Sequence, residues 1–273
     1  MVTRSLLAYD PKSNTWTKKE LLRARHDLEA SAAVDSILYF FGGRAGYSAG
    51  EDYPGAFPKV EAYYPAANRW TTKAAMPTPR FGAAAGVVNG IVYVVGGYGA
   101  GGTMLSTLEA YDPSANSWTT KRAMPTARAY TAAAVVNGIL YVVGGEVAHS
   151  SIMVGILEAY DPASDTWTTR APMPTPRSNA VAGVVKGVLY VAGGTGNREP
   201  SFLATLESYD PANNTWTQKT AMPTARTFAR GGVVNGRLYV VGGSGYHFGL
   251  ATVEAYDPAL DTVNRSRASG DNR

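Results

Sequence analysis

The chain has 273 residues, 45% of them hydrophobic and 17% charged, and a net charge of +4. This composition supports a large apolar core and excludes general disorder. There is no cysteine, which excludes disulfides, thiolate nucleophiles and cysteine–metal sites. Basic residues are scattered and no apolar run approaches the roughly 20 residues of a membrane helix, so we expect no nucleic-acid partner and no membrane association. We therefore expect a cytoplasmic protein.

The first predicted elements are two short strands at residues 5–10 and 15–18. Their sequence, which includes Tyr9 and Trp16, matches the second half of a longer unit that recurs along the chain. We therefore expect these residues to supply the last two strands of a unit whose other strands come from the far end of the chain.

A full unit spans residues 80–120 and contains four predicted antiparallel strands, named a to d. They lie at 83–88, 91–95, 107–111 and 117–120. Asn89-Gly90 joins a to b and favours a two-residue hairpin turn, because both turn residues need positive φ. Asp112-Pro113 begins the turn between c and d. No segment shows sustained helical periodicity.

The unit recurs about every 49 residues with its landmarks in register. A Gly-Gly pair follows strand b at residues 42, 96, 144, 193 and 242. Strand c carries Tyr9, Tyr63, Tyr111, Tyr160, Tyr209 and Tyr256, and strand d carries Trp16, Trp70, Trp118, Trp167 and Trp216. Four short strands per repeat, separated by turn signals, are typical of a β-propeller blade.

These landmarks, with the Met-Pro-x-x-Arg segments after strand d, resemble the kelch repeat. The resemblance covers roughly residues 4–260 and implies an all-β, kelch-type β-propeller. We predict five four-stranded blades, one of them a composite of N- and C-terminal strands, because an open ring would leave unpaired strand edges. The alternative is an incomplete six-bladed propeller. Residues 1–260 would form this single domain, and residues 261–273 a polar, disordered tail.

The loops of the repeats differ on one face of the predicted ring. The a–b and c–d turns are nearly uniform, whereas the b–c loops share almost no sequence. Because variable loops on a repeated scaffold usually carry the specific contacts, we predict a binding face made of the b–c loops and d–a connections. Its candidate ligand-binding residues are Tyr47, Glu51, Asp52, Tyr53, Arg80, Tyr98, Arg128, Glu146, His149, Arg177, Arg198, Arg226, Tyr246 and His247.

Two groups in this set have structural alternatives. The longest b–c loop, with aromatic and acidic residues at 47–53, suits a polar ligand or a basic partner, but it could instead pack on its own blade. The arginines at 80, 128, 177 and 226 could grip an anion through bidentate hydrogen bonds. Glutamates recur equally regularly on strand c, so the favoured interpretation of these arginines is a structural ion pair.

The sequence contains no motif for catalysis. The histidines, His26, His149 and His247, lie on the same face without metal-binding spacing, so we predict no metal and no cofactor. Nucleophile-elbow and phosphate-loop motifs are also absent. We therefore predict a non-enzymatic recognition module for a protein or peptide. The alternative, implied by the resemblance, is a sugar-binding or mutarotase-like kelch enzyme acting on a small anionic sugar of the sialic-acid type at the channel mouth.

Overall fold

The computed structural model describes residues 6–20, 28–44, 55–147, 152–246 and 249–267. Within them, five four-stranded antiparallel sheets form the blades of a ring around a central channel. The predicted all-β propeller with five four-stranded blades is confirmed. No helix of the described residues is long and apolar enough to cross a membrane.

The strands follow one another in a simple order, with strand a next to the channel. An N-terminal hairpin consists of β1 (Leu7–Asp10) and β2 (Thr15–Lys18), and blade 1 of β3 (Ala30–Val34), β4 (Ile37–Phe41), β5 (Val60–Tyr64) and β6 (Arg69–Thr72). Blade 2 consists of β7 (Ala84–Val88), β8 (Ile91–Val95), β9 (Leu108–Asp112) and β10 (Ser117–Lys121), with a 3-10 turn at Ala100–Gly102.

The later blades repeat this order and add short strands in their loops. Blade 3 consists of β11 (Ala132–Val136), β12 (Ile139–Val143), the loop strands β13 (Glu146–Val147) and β14 (Ile152–Met153), β15 (Leu157–Asp161) and β16 (Thr166–Arg170). The loop strand β17 (Arg177–Ser178) precedes blade 4, which consists of β18 (Val181–Val185), β19 (Val188–Ala192), the loop strand β20 (Thr195–Gly196), β21 (Leu206–Asp210) and β22 (Thr215–Lys219). Blade 5 consists of β23 (Arg230–Val234), β24 (Arg237–Val241), β25 (Thr252–Asp257) and β26 (Thr262–Arg267).

The a–b turns have the left-handed backbone that their sequence predicts. Asn89 and Gly90 have φ values of 49° and 78°, and Lys186 and Gly187 adopt the same pair of values. Positive φ at both positions matches the twist of the flanking strands, so a two-residue turn closes each hairpin. The repeat geometry therefore holds even where lysine replaces the favoured asparagine.

The Gly-Gly pairs mark close contact between neighbouring blades. Gly96 and Gly97 have φ values of 65° and 96°. The Gly97 amide donates to the Arg128 carbonyl of the next blade at 2.9 Å. A Cβ on Gly96 would lie 2.5 Å from that same carbonyl oxygen, and a Cβ on Gly97 would lie 2.7 Å from the Phe81 carbonyl oxygen. Only glycine allows this approach.

The apolar core lies between successive blades. Four clusters of buried side chains each join one blade to the next. The strand-d tryptophans add hydrogen bonds across the same boundaries. The Trp118 indole donates to the Ala74 carbonyl at 3.0 Å, and the Trp167 indole donates to the Arg122 carbonyl at 2.9 Å. Each blade is therefore stabilised mainly by its two neighbours.

The ring does not contain the predicted composite blade. All four strands of blade 5 come from residues 230–267, and among the described strands β1 pairs with β2 alone. The predicted disordered tail is also wrong from residue 262 to 267, which form β26. Val263 lies opposite Tyr256, at the position of the usual tryptophan. The missing tryptophan hid this strand, although backbone pairing does not depend on it.

The N-terminal hairpin occupies a sixth position, between blade 5 and blade 1. Glu20 donates its amide to Asn68 Oδ1 at 3.0 Å and accepts the Trp70 indole N–H at 3.2 Å. The same two kinds of contact link later neighbouring blades. On its other side, the Tyr9 ring lies 6.2 Å from the Tyr239 ring of blade 5. The described residues thus form five complete blades and one half-blade, β1–β2, as the alternative prediction of an incomplete six-bladed propeller describes.

Candidate binding face

The b–c loops and the d–a connections lie together on one side of the ring, which we call the variable face. Isolated bridges pair Phe81 with Tyr98 and Ala129 with Glu146, each joining a d–a residue to a b–c residue. The uniform a–b and c–d turns lie on the opposite side. The predicted grouping of the loops therefore follows from the antiparallel order of the strands.

Four recurring arginines lie beneath the variable face, each buried and ion-paired within its own blade. Arg128 is 0% exposed, and its Nη2 lies 2.7 Å from Glu158 Oε2. Its Nη1 donates to the carbonyls of Gly144 at 2.7 Å and Ile156 at 3.0 Å. We call each such arrangement an arginine clamp. The other clamps pair Arg80 with Glu109, Arg177 with Glu207, and Arg226 with Glu254.

The arginine clamps hold the bases of the b–c loops in blades 2 to 5 and keep their own guanidinium groups buried. Burial lowers the pKa of Arg128, and the charge of Glu158 opposes that shift. An arginine buried in this way cannot reach an external ligand without leaving its glutamate unpaired. The structural interpretation fits this geometry, and Arg80, Arg128, Arg177 and Arg226 are corrected from candidate ligand contacts to supports.

Tyr98 and Glu146 meet at the boundary between blades 2 and 3. Each follows a Gly-Gly pair, and the Tyr98 hydroxyl donates to Glu146 Oε1 at 2.5 Å. Both side chains are buried. Burial raises the pKa of the Glu146 carboxyl, and the hydrogen bond from Tyr98 opposes that shift. These two candidates therefore form a pair between blades that supports the floor of the variable face.

Five residues surround the mouth of the channel, one from the d–a connection before each complete blade. They are Leu28, Gly82, Tyr130, Asn179 and Phe228, and we call them the mouth ring. Their φ values all lie between 52° and 61°. Backbone hydrogen bonds of 2.7–2.9 Å join Gly82 to Leu28, Tyr130 to Gly82 and Asn179 to Tyr130. This conformation is uncommon for large side chains, and such strain concentrates at functional sites.

Two aromatic residues of the mouth ring face each other across the opening. The ring centroids of Tyr130 and Phe228 are 6.2 Å apart, with an interplanar angle of 86°. Tyr130 also meets the Tyr98 ring edge-on at 5.6 Å. A Cβ at Gly82 would lie 2.8 Å from the Tyr130 ring, so glycine makes room for it. The centre of the variable face is therefore aromatic, and Phe228 remains 46% exposed.

Polar groups line a cavity of about 70 Å³ below the mouth ring. Glu29 Oε2 and Thr131 Oγ1 are buried there and have no hydrogen-bond partner among the described residues. Arg230 lines the same cavity. A second cavity of about 140 Å³ continues along the channel between the small residues of the a strands. The channel mouth thus offers a carboxylate, a hydroxyl and a guanidinium to a small polar ligand.

The other described candidates lie on the loops of blades 4 and 5. Tyr246 is 49% exposed, and its ring stacks on Phe202 at 4.9 Å. Its hydroxyl accepts the Phe202 amide at 3.1 Å, which joins the two loops. Arg198 is exposed to solvent. The remaining candidates lie outside the described residues: Tyr47, Glu51, Asp52, Tyr53, His149 and His247.

The absence of a metal site remains a prediction. All three histidines lie outside the described residues. Within the described ranges, no three side chains of His, Cys, Asp or Glu are grouped so that they could hold a metal ion.

The binding residues predicted from the sequence do not include Glu29, Tyr130, Phe228 or Arg230. All four lie in or just after the d–a connections, whose repeated Met-Pro-x-x-Arg landmark made them look uniform. A signal was present two residues after the recurring arginine. That position changes from one repeat to the next, being Gly82, Tyr130, Asn179 and Phe228.

Four-stranded blades with these Gly-Gly, tyrosine and tryptophan landmarks define a β-propeller of the kelch type. A family model described as a KLHDC2/KLHL20/DRC7 Kelch-repeats domain matches residues 1–173. A Kelch motif model matches residues 176–223 and 225–265. The chain therefore belongs to the kelch-repeat family.

Curated relatives resemble only part of the chain. Kelch-like protein 33 of Homo sapiens is 35% identical over 104 residues, covering 38% of this chain and 18% of that protein. Alpha-scruin of Limulus polyphemus is 29% identical over 97 residues, covering 36% of this chain and 10% of that protein. The matched stretches thus span less than a fifth of these relatives' length.

One solved structure matches almost the whole ring. The structure of YjhT has a TM-score of 0.83 and covers 97% of both chains at 18% sequence identity. At this level of identity the likeness supports the fold alone.

Proposed function

We propose that the protein is a recognition module that binds a protein or peptide through the variable face. The observation that carries the proposal is the exposure of large apolar side chains there. Ile152, Phe228 and Tyr246 are 52%, 46% and 49% exposed. Aromatic side chains of this kind commonly anchor protein partners. Membership of the kelch-repeat family, with Kelch-like proteins among its relatives, supports the same class of function.

The scaffold under these side chains is rigid, which favours binding. The arginine clamps fix the bases of the b–c loops, and the contact of Tyr246 with Phe202 joins two of those loops. A pre-organised surface loses less conformational entropy when a partner binds. The exposed guanidinium of Arg198 adds a polar group beside the apolar anchors.

The test is a display selection of random peptides, followed by affinity measurements on a selected peptide by fluorescence anisotropy. Phe228→Ala and Tyr246→Ala should each weaken binding at least about tenfold, the effect of losing an anchor worth roughly 1.4 kcal/mol. Their Tm values should stay close to that of the unchanged protein, because about half of each side chain is already exposed to solvent.

Leu260→Ala provides the control on the opposite side of the ring. Leu260 lies in a c–d turn and is 68% exposed, so this variant should bind the peptide normally. The variable face is the wrong surface if Leu260→Ala removes binding while Phe228→Ala and Tyr246→Ala retain it.

A second candidate function is binding or mutarotation of a small sugar acid at the channel mouth. The unpartnered Glu29 Oε2 and Thr131 Oγ1 favour it, because sugar hydroxyls can satisfy both. The Glu29 carboxylate could also act as the base for an anomeric hydroxyl. N-acetylneuraminate should then give a saturable rise in Tm that Glu29→Gln and Thr131→Val reduce. No saturable rise at millimolar concentration, or an equal rise in both variants, would exclude this candidate.

A further inference from the structure

In the part of the chain that the structure describes, the half-blade has an outer pair of strands but not the two inner strands that every complete blade has. In blades 1 to 5, strand c pairs with strand b on its inner side and with strand d on its outer side. The corresponding strand β1 pairs only with β2, so its inner edge has no strand partner among the described residues. Leu7 of β1 is 53% exposed, whereas Glu109 and Glu158, which lie at the same position two residues before the strand-c tyrosine, are each 2% exposed.

Blade 5 exposes its side of the resulting space, which we call the slot. Val234 is 40% exposed. The valines at the same position in blades 2, 3 and 4 are only 2–5% exposed, namely Val88, Val136 and Val185. A Cβ added to Gly86 would lie 2.5 Å from the Leu140 side chain of the next blade, but one added to Gly232 would meet nothing within 4 Å.

Blade 1 forms the opposite wall of the slot. Leu38 and Phe40 of its strand b are partly exposed, whereas Val92 and Val94 at the same positions of blade 2 are 0% exposed. The slot therefore has two apolar walls and a free strand edge between them. In each complete blade, the a and b strands lie in the same kind of space, inside strand c and between the two neighbouring blades.

We propose that the slot binds an exposed β-hairpin of a partner polypeptide, which pairs with β1 and completes the sixth blade. The complete blades define its chemistry: two five-residue strands, apolar on both faces and joined by a two-residue turn. Addition of a strand to a free edge supplies backbone hydrogen bonds as well as apolar contacts. A second copy of this chain is a poor donor, because its own five a–b hairpins are the inner strands of its own blades.

Arg230 adds a charge requirement to the partner hairpin. It begins β23 on the slot side and is exposed, without an ion pair to any described residue. In the filled boundary between blades 4 and 5, the equivalent Val181 packs on Gly231, the second residue of the next strand a. A carboxylate at the second position of the partner's first strand would therefore lie beside Arg230. The other slot arginine, Arg237, is already paired with Asp257 at 2.9 Å. The other blades have small residues at the position of Arg230, namely Ala30, Ala84, Ala132 and Val181.

The test uses a synthetic hairpin peptide copied from blade 3, residues 131–144, with glutamate in place of Ala133 and two lysines at each end for solubility. We expect saturable binding by fluorescence anisotropy and a rise in Tm of the full chain. Arg230→Glu should lower the affinity for this peptide at least about tenfold. A peptide with lysine in place of that glutamate should bind the Arg230→Glu variant with recovered affinity. Gly232→Leu, which fills the slot, should remove binding of both peptides.

The controls separate this surface from the variable face. Ile152→Ala should leave hairpin binding unchanged, and a peptide of the same composition in scrambled order should not bind. The proposal is overturned if binding is not saturable at millimolar peptide, or if Arg230→Glu and Gly232→Leu both bind the hairpin normally. It is also overturned if sedimentation shows a dimer that Gly232→Leu dissociates, because a second copy would then occupy the slot.

Discussion

The boundary between blades 2 and 3 and the boundary between blade 5 and the half-blade arise from the same repeat, yet only the first is filled. Val88 is 4% exposed at the filled boundary, and Val234 is 40% exposed at the open one. A Cβ on Gly96 would press on Arg128 of the next blade, while a Cβ on Gly242 would approach only Leu250 of its own loop. A repeat residue therefore stabilises the ring only when its neighbour is present.

The largest expected effect comes from breaking an arginine clamp inside a complete blade. Arg128→Ala should lower the free energy of unfolding by about 3–5 kcal/mol, because Glu158 would be left buried without its partner. Arg230→Ala is the matched change at the open boundary and should alter stability by less than about 0.5 kcal/mol. Urea denaturation of both variants measures the difference. Equal losses would mean that Arg230 has a structural role.

The next prediction compares two valines at the same repeat position, one at a filled boundary between blades and one at the open boundary. Val136→Ala should cost about 1.5–3 kcal/mol, because it removes apolar contact and leaves a cavity between blades 3 and 4. Val234→Ala should cost less than about 0.5 kcal/mol, since water already reaches that side chain. Thermal unfolding of the two variants provides the comparison. A large loss for Val234→Ala would indicate that the slot is covered in solution.

A smaller effect concerns the hydrogen bonds that link the c–d turns to the preceding blade. Asn116 Oδ1 accepts the Tyr111 hydroxyl at 2.7 Å and the Ala74 amide at 3.0 Å. Asn116→Ala should therefore cost about 1–2 kcal/mol in chemical denaturation. In the half-blade, Asn14 Oδ1 accepts the Tyr9 hydroxyl at 2.8 Å, and among the described residues this is its one side-chain hydrogen bond. Asn14→Ala should cost about half as much, because it removes one hydrogen bond and Asn116→Ala removes two. A larger loss of stability for Asn14→Ala than for Asn116→Ala would contradict this prediction.

The filled boundaries could be predicted from sequence because local chemistry fixes them. In blade 2, the strands predicted at 91–95 and 117–120 are found at Ile91–Val95 and Ser117–Lys121. Asn-Gly turns, Gly-Gly pairs and short apolar strands each favour one backbone conformation, so the repeat is visible in the sequence. The equally regular recurrence of arginines and strand-c glutamates likewise predicted that these residues form ion pairs.

The open boundary and the channel mouth could not be predicted in this way. The β26 strand has Val263 in place of tryptophan, and its pairing depends on the neighbouring strand rather than on its own residues. The contact between Tyr130 and Phe228 joins d–a connections that precede blades 3 and 5. Such contacts depend on the closure of the ring, which repeat spacing does not describe.

The smallest expected effect is a pH dependence at the filled boundary between blades 2 and 3. Burial raises the pKa of Glu146 in the folded chain, so the unfolded chain loses this proton at lower pH. Stability from this group is therefore complete below the ordinary carboxyl pKa of about 4.3 and is lost as pH rises through the raised value. Glu146→Gln keeps an acceptor for the Tyr98 hydroxyl but cannot ionise.

Denaturation of Glu146→Gln between pH 4 and pH 8 should show equal stability at the acidic end and a gain of less than about 1 kcal/mol at neutral pH. Tyr98→Phe sharpens the comparison, because it removes the hydrogen bond that opposes the shift and should steepen the loss of stability with rising pH. If Glu146→Gln instead loses stability at neutral pH, the Tyr98 hydrogen bond outweighs desolvation and holds the carboxylate ionised between the blades.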